Sequence, residues 1–408
     1  METLRSSSKG FKNGTHRLIA PEQTLARIWP LMGAMGITRV ATITGLDVIG
    51  IPVVAVTRPN SRSIAVAQGK GLDLTAAKVS GLMESIENYH AEHIRAPLRL
   101  ATWGELRAEG CLDLERLPRV AGSSLHGGSR MLWIEAHEIF RGDRLWVPYE
   151  VVHADYTLPL PTGSGALMLN DSGVASGNDP LEATSHAICE LVERDALTLF
   201  RFEGAAAPAS RRLDLASVDD LACVSVLERF ARADVSVAVW DITSDLGIPA
   251  FFCTILDREA LHFRAVGPAS GSGCHPSREI ALLRALTEAA QTRLTIIAGS
   301  RDDISLATYH RGQDRAVLAE TASLLAASGD GTGRRFADVP THSADTLHED
   351  VSWELARLRA AGIEQVAVVD LTLPEFQIPV VRVVIPGLEG MHDAPGFTPG
   401  PRARARLK

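Results

Sequence analysis

Three segments of the chain repeat one spacing: an alanine, six residues, a glutamate, two residues, then glutamate or glutamine. They are Ala77…Glu84…Glu87, Ala183…Glu190…Glu193 and Ala281…Glu288…Gln291. Each has helical hydrophobic periodicity, and residues three and four apart on a helix share a face. Ser80, Glu84 and Glu87 therefore line up, as do His186, Glu190 and Glu193 with Arg194 beside them. In the third segment Arg284, Glu288 and Gln291 align, with Arg293 close in sequence. The remaining faces are apolar: Leu82, Met83 and Ile86; Ile188, Leu191 and Leu199; Leu282, Leu283 and Leu286. Three such polar stripes facing one another would form a carboxylate cage. Cages of hard oxygen ligands suit hard cations, often with phosphate attached, so a Mg-nucleotide enzyme is the leading idea.

Two readings remain open on spacing alone. Glutamate pairs at this separation are common on solvated helices, and an internal repeat can be an ancestral duplication without catalytic meaning. Against that, each stripe follows a Gly-rich segment (QGKGLD, SGVASGNDP, SGSGCHP), and a loop entering a helix can present backbone N–H groups to phosphate. No P-loop and no Rossmann GxGxxG is present. His186 reads as a hydrogen-bonded structural histidine or a ligand contact. Cys189, one residue before Glu190, points away from that carboxylate by the helical turn and reads as core.

The elements that must carry these stripes are mixed. Helices are expected near 21–32 (interrupted at Pro30), 74–95, 180–200, 216–232, 277–298, 315–326 and 347–361. Strands are expected at ITRVATIT, IPVVAVT, SIAVAQ, MLWIEAHEIF, 145–152, QVAVVDLT and IPVVRVVIP, and a βαβ-like stretch covers 215–268 with VSVAVWDIT, IPAFFCTIL and HFRAVGP. Residues 1–17 read as a flexible segment, SGDGTGRRF as a polar loop, and 387–408 as a Pro/Gly-rich tail whose Arg402, Arg404, Arg406 and Lys408 form a solvated basic end. The fold class is α+β, with one composite domain over 1–408.

With 408 residues, 46% of them apolar, the chain can bury a sizeable core, and a net charge of −8 gives no nucleic-acid footprint. Five scattered cysteines without a CxxC fit reduced thiols better than a disulfide framework or zinc site. No signal-peptide pattern and no membrane-spanning run is present, which suggests a cytoplasmic protein.

At the stripe residues the chain resembles the YcaO superfamily. Ser80, Glu84 and Glu87 match its Ser-x3-Glu-x2-Glu motif. Asn178 followed by Glu190, Glu193 and Arg194 matches its Asn loop and Glu-x2-Glu-Arg. Arg284, Glu288, Gln291 and Arg293 match its Arg…Glu…Gln-x-Arg helix. The stretches around these motifs look closest to stand-alone members that work with a TfuA-type protein. The resemblance implies a composite fold of mixed sheets and helices around a nucleotide site, with ATP and Mg2+ as cofactors and peptide backbone amides as substrate. It implies Glu84, Glu190 and Glu193 as main Mg ligands, with Glu87 and Glu288 supporting. Asn178 and Gln291 would bind metal or phosphate oxygens, and Ser80, Arg194, Arg284 and Arg293 the nucleotide. Lys70, Lys9 and Arg17 are weaker phosphate candidates and read first as surface cations. No side-chain nucleophile is required.

The products the resemblance allows are a thioamide, made with sulfide from a TfuA-like partner, or an azoline, made from a Cys, Ser or Thr of a ribosomal precursor peptide. A nucleotide-binding accessory factor for another modifying enzyme is a third reading. Azoline-forming members often end in PxPxP; here Pro399 and Pro401 have that spacing, but Phe397 replaces the first proline and Arg402–Lys408 follow. This favours thioamidation. No leader-peptide-binding module is visible before residue 18, so substrate delivery is expected from a partner, and a homodimer is compatible with the resemblance.

Overall fold

Each repeat helix starts at a side-chain cap. Asp73 accepts the Ala76 N–H at 2.8 Å, Asp179 accepts the Leu181 N–H at 2.8 Å ahead of Pro180, and Ser277 accepts the Ile280 N–H. These caps satisfy N–H groups that a helix leaves open. Gly299, at φ 58°, closes the third helix in the left-handed conformation.

The computed structural model describes residues 7–203, 209–258, 266–326 and 333–407. Helix α1 (Pro21–Ile28) ends at a 3-10 turn containing Pro30, where the proline was expected to interrupt it. An antiparallel sheet follows, β1 (Arg39–Thr42), β2 (Val53–Thr57) and β3 (Val66–Lys70), and leads into α2 (Leu74–Glu92). A second sheet begins with β4 (Leu98–Thr102), the short helix α3 (Trp103–Arg107), β5 (Arg130–Glu138) and β6 (Asp143–Pro148). Its edge strand β7 (Val174–Ser176) leads into α4 (Pro180–Phe202). After α5 (Leu221–Arg232), a third sheet of β8 (Val235–Asp241), β9 (Ala250–Asp257) and β10 (Ala269–Cys274) leads into α6 (Arg278–Ala298). Helices α7 (Leu306–Gly312), α8 (Arg315–Ala326) and α9 (Leu347–Ala360) come next. Strands β11 (Ala367–Asp370) and β12 (Val380–Val384) then return to the second sheet, giving the order β4-β5-β11-β12-β7 with β6 paired to β5. Helix α10 (Pro401–Arg406) is last. The α+β reading holds.

The stretch expected to be βαβ-like is instead an antiparallel meander, β8-β9-β10. Its third strand is ASGSGC, which had the look of a loop, whereas the expected strand HFRAVGP falls mostly outside the described residues. All three Gly-rich "loops" thus contain strand residues. Gly69 ends β3 beside Lys70, and Gly271 and Gly273 lie within β10; Gly173 and Gly177 flank β7. The reason is steric. A Cβ on Gly69 would stand 2.0 Å from the Ala77 carbonyl oxygen, and one on Gly273 2.2 Å from that of Ala281. A Cβ on Gly177 would stand 2.8 Å from the Ala183 nitrogen. The repeated alanines Ala77, Ala183 and Ala281 are fully buried at these contacts. Each strand therefore lies against the backbone of the helix it feeds.

The two chain ends correct their expected freedom. Residues 7–17 are anchored: Ser8 bridges Thr346, and the Lys9 ammonium, expected at the surface, is buried 2.6 Å from Asp350 and donates to the Ala344 carbonyl. The tail folds back onto α4. Arg402, expected to be solvated, pairs at 2.9 Å with the buried Asp195 and at 2.7 Å with Asp245. Buried Glu389 accepts the N–H groups of Gly400 and Ala403. The expected loop SGDGTGRRF lies largely outside the described residues. Among the described residues no helix is long and apolar enough to cross a membrane.

The glycine contacts give a stability prediction. Gly69→Ala forces backbone apart and is expected to cost about 3 kcal/mol. Gly45→Ala, where nothing lies within 4 Å of the added carbon, is expected to be near neutral. Denaturant unfolding of both variants decides it; equal midpoints would remove the steric account.

Candidate nucleotide and metal site

The three repeat helices and their three edge strands form a closed ring. Helix α2 packs on β3 and β7, α4 on β7 and β10, and α6 on β10 and β3. This brings the polar stripes to one hub. The first carboxylate of each stripe accepts a backbone N–H from its own feeding strand or the turn before it: Glu84 from Gln68, Glu190 from Gly173 at 3.0 Å, Glu288 from Ser272 at 3.3 Å. The residue three further on reaches the next strand of the ring. Glu87 accepts from the Ser176 hydroxyl at 2.7 Å, Glu193 from the Ser272 hydroxyl at 2.6 Å, and Gln291 donates to the Gln68 carbonyl at 2.9 Å. Two of these partners are hydroxyl donors and one is a carbonyl acceptor. A carboxylate could not donate to that carbonyl, which explains why the third stripe carries glutamine.

The electrostatics of the hub are strained. Burial pushes the Glu84 carboxyl up to about 7, against the pull of Arg301 and Lys70. Burial pushes Glu87 up to about 8, helped by Glu84 and Glu190 and opposed by its bonds to Ser176. Burial also raises Glu190, with Asp171 and Glu193 adding to it and Arg194 opposing it. Glu288 behaves differently: burial is outweighed by Lys70, 2.6 Å away, and by Arg194, so its carboxyl is held below the ordinary value. Arg194 stands 3.4 Å from Glu190 and 3.5 Å from Glu193. Against its own burial, Glu193, Glu190 and Glu288 keep its guanidinium firmly protonated.

Beside the carboxylates lies a narrow cleft lined by His16, Arg17, Glu182, His186, His275 and Arg284, among others. Its imidazoles are neutral. Burial and then the neighbouring cations lower His16 to about 4, and burial followed by Arg284 lowers His186 well below its usual value. His16 and His275 meet edge-on at 5.2 Å. The Arg284 Nε is buried with no hydrogen-bond partner, as is the Arg194 Nε. Arg284, Arg17 and Lys70 act on His186 beside the cleft, whereas Glu84 feels both Lys70 and Asp171, and Glu190 feels Asp171.

The expected site residues divide accordingly. Glu84, Glu87, Glu190, Glu193, Glu288, Arg194, Gln291 and Lys70 meet at the hub, with Ser80 one turn before Glu84. Lys70, expected first as a surface cation, is the partner of Glu288. Arg284 faces the cleft. Asn178 sits at its edge, accepting from Thr24 and bonded to Glu182, which also accepts the Leu18 N–H at 2.8 Å. Arg17 lies 3.7 Å from Glu182. Arg293 does not join them. It is buried between Asp47 and Asp257, each 2.9 Å away, because a residue two positions after Gln291 points to another face. Residues missed from sequence include Glu182, which lies on the stripe four positions before His186 and was findable by spacing. Asp171, Arg301 and Arg382 were also missed. Of these only Arg382 left a signal, as one charge within the strand VVRVV.

The residues fit a divalent cation with a phosphate. Hard oxygen donors crowd at strained protonation states, and unpartnered guanidinium nitrogens stand beside them. Yet among the described residues no three potential ligands already converge on one point. Each carboxylate is tied to a strand N–H, a serine or a cation, so a metal would exchange these partners for itself.

Comparisons with known proteins give the family. The model of the YcaO family, described as YcaO cyclodehydratase, ATP- and Mg2+-binding, matches residues 68–389. The chain belongs to the YcaO family. A Rhizobium leguminosarum bv. trifolii protein described only by its place in the tfuA 3′ region is 40% identical over 95% of this chain and 91% of its own length. An uncharacterised Mycobacterium tuberculosis protein is 34% identical over 95% and 86%. Among solved structures, a heterocyclase in complex with substrate and cofactor superposes with TM-score 0.79 at 23% identity, over 98% of this chain and 55% of that one. The Methanopyrus kandleri YcaO bound with AMPPCP and Mg2+ gives TM-score 0.74 at 20% identity, over 97% and 99%. The YcaO-type fold and membership of an ATP- and Mg2+-binding family are thereby shown.

The raised carboxylates carry a prediction with a definite sign. A carboxyl whose folded value is raised binds its proton more tightly when folded, so stability falls as pH rises from the ordinary carboxylate range through about 8 for Glu87. Glu87→Gln is therefore expected to raise the melting temperature of the metal-free protein at pH 8 by a few degrees, with a smaller difference at pH 5. The same variant is expected to lose the stabilisation that Mg-ATP gives the wild type. Thermal scans at both pH values test it; a variant less stable than wild type at pH 8 would sink the idea.

Proposed function

We propose that the protein activates a peptide backbone amide at the expense of ATP and installs a thioamide with sulfide delivered by a TfuA-like partner. The observation that carries this reading is the 40% identity, over 95% of this chain, with the protein of the tfuA 3′ region. The site is in keeping with it, because no enzyme nucleophile is needed. The cleft does contain thiols, but the Cys189 thiol is held protonated by its contact with Cys274 and by burial, and it donates to Glu354 at 3.4 Å. It is a packing group.

In this reading Glu84, Glu190 and Glu193 are the chief metal ligands, and Glu87 and Glu288 support them. Ser80, Gln291, Arg194, Arg284 and Lys70 hold phosphate oxygens, and Asn178 with Glu182 and Arg17 borders the nucleoside end. Arg293 acts from a distance, by fixing α6 against Asp47 and Asp257. Bound Mg-ATP supplies the phosphoryl group that turns the amide oxygen into a leaving group. Sulfide adds to the amide carbon, the resulting oxygen takes the phosphoryl group, and the C–O bond breaks with inorganic phosphate as the departing species. Loss of the sulfur-bound proton leaves C=S and an intact amide nitrogen. The role of the protein's side chains is to neutralise and position.

A second reading is azoline formation, favoured by the cyclodehydratase description of the family. There the nucleophile is a Cys, Ser or Thr of the peptide. The tail bears on the choice, since Phe397, standing where PxPxP would place a proline, packs on Phe202 at the end of α4 with ring centres 6.1 Å apart.

Mass spectrometry of a candidate peptide treated with the protein, its TfuA-like neighbour, Mg-ATP and sulfide separates the two. Exchange of oxygen for sulfur, dependent on sulfide and partner, is the expected result. Loss of water without sulfide would establish the azoline reading. Glu190→Gln is expected to lower either activity by at least about a hundredfold; full activity in that variant would remove the proposed site.

A further inference from the structure

Arg382 is a buried charge beside the hub to which the reading above gives no role. It lies on β12, opposite Val174 of the edge strand β7 and opposite Val369 of β11. Its neighbours two residues away, Val380 and Val384, belong to the core on the α2 side of the sheet, whereas Val381 and Val383 belong to the other core. Alternation along a strand therefore turns Arg382 toward the α2 side. That is also the side on which Ser176, opposite Val380, holds Glu87. The residue is only 3% exposed, yet its Nε and Nη1 have no hydrogen-bond partner. Buried guanidinium groups are costly unless paired and hydrogen-bonded. Its charged surroundings are Tyr156, Asp171 and Glu190. The strand it faces carries Ser176, which holds Glu87, and follows Gly173, which holds Glu190, so Arg382 stands beside these hub carboxylates.

The hub carboxylates give the orphaned group a task. A nucleotide with its nucleoside end toward the His186–Arg284 cleft would meet the carboxylates with its phosphates, and its terminal phosphoryl group would then lie on the Glu87 and Glu190 side, within reach of Arg382. We propose that Arg382 binds the γ-phosphoryl group of the nucleotide, as the side chain that distinguishes ATP from ADP. The inference rests on the Mg-nucleotide reading above. During transfer the bond between the γ-phosphorus and the β,γ-bridging oxygen breaks, and ADP keeps that electron pair. A bond from the amide-derived oxygen to phosphorus forms, and Arg382 keeps its protons and offsets the charge on the moving oxygens.

The test is calorimetric titration of Mg-AMPPCP and Mg-ADP into wild type, Arg382→Met and Arg382→Lys, with melting curves of the unliganded proteins. In Arg382→Met the affinity for Mg-AMPPCP is expected to fall about tenfold or more, a typical loss for a charge-assisted phosphate contact. Mg-ADP affinity should be unchanged, and the melting temperature of the unliganded protein should hold or rise, because an unpaired buried charge has been replaced by an apolar chain of similar length. Arg382→Lys should keep part of the preference, and it decides the same comparison should the Met variant not fold. Equal weakening of both nucleotides, or a steep loss of melting temperature with nucleotide preference intact, would assign Arg382 to the fold and overturn the proposal. Unchanged affinities would overturn it too. Failure of the wild type to bind either nucleotide would instead strike the Mg-nucleotide reading, and this inference with it.

Discussion

The contact between a glycine-bearing strand and the alanine face of the helix it feeds is the constraint on which the site depends. Gly69 against Ala77, Gly177 against Ala183 and Gly273 against Ala281 are backbone-to-backbone approaches. No side chain fits between them. Each contact fixes how far a helix stands from its strand, and so where a carboxylate two turns further along will be. Because each helix also packs on the next unit's strand, the three contacts close into a ring. A closed ring defines its centre from all sides. A shift of one helix would move it relative to two strands at once, and close-packed interiors resist such shifts.

The hydrogen bonds of the hub follow the same rule as its packing. In every unit the first acidic residue is bonded to its own strand or the turn leading into it, and the residue one turn later is bonded to the neighbour's. One set of polar atoms thus both seals the ring and carries the chemistry. This arrangement is costly in the metal-free chain. Like charges share a poorly solvated space, and Lys70 and Arg194 only partly offset them. Sites that store unfavourable electrostatics are a recurrent feature of functional centres. Here the storage is explicit, in carboxyls raised to about 7 and about 8.

Much of this was legible in the sequence because helices announce themselves twice, by apolar period and by capping residues. Helices expected at 180–200 and 277–298 appear as Pro180–Phe202 and Arg278–Ala298. The stripe residues met as their spacing implied, since a helix turns every residue by a fixed angle. Gly-rich strands were not legible. ASGSGC lacks the β-branched residues that mark a strand, and its glycines answer to a helix that the local sequence does not contain. The same limit explains Lys9 and Arg402. Their partners Asp350 and Asp195 lie hundreds of positions away, and a basic residue near a chain end carries no mark of such a pairing. Arg293 was misplaced for a local reason: it shares a motif with Gln291 but not a helix face.

The anchored ends complete the physical picture, because both act on α4. The N-terminal strap holds its first turns, with Ser7 bonded to Asp179 at 2.9 Å and the Leu18 N–H bonded to Glu182. The tail holds it further along, where Arg402 neutralises Asp195, the residue next to Arg194. Burial raises the Asp195 carboxyl, and Arg402 pulls against that rise. Without the arginine an uncompensated carboxylate would sit in the core beneath the Glu190–Glu193–Arg194 stripe, a defect typically costing about 3–5 kcal/mol. Helix α4 is thus clamped at both sides of the stripe that contributes the most charge to the hub. Strain at the centre is tolerable when the element bearing it cannot move away, and the pairing of distant chain ends with α4 supplies that restraint.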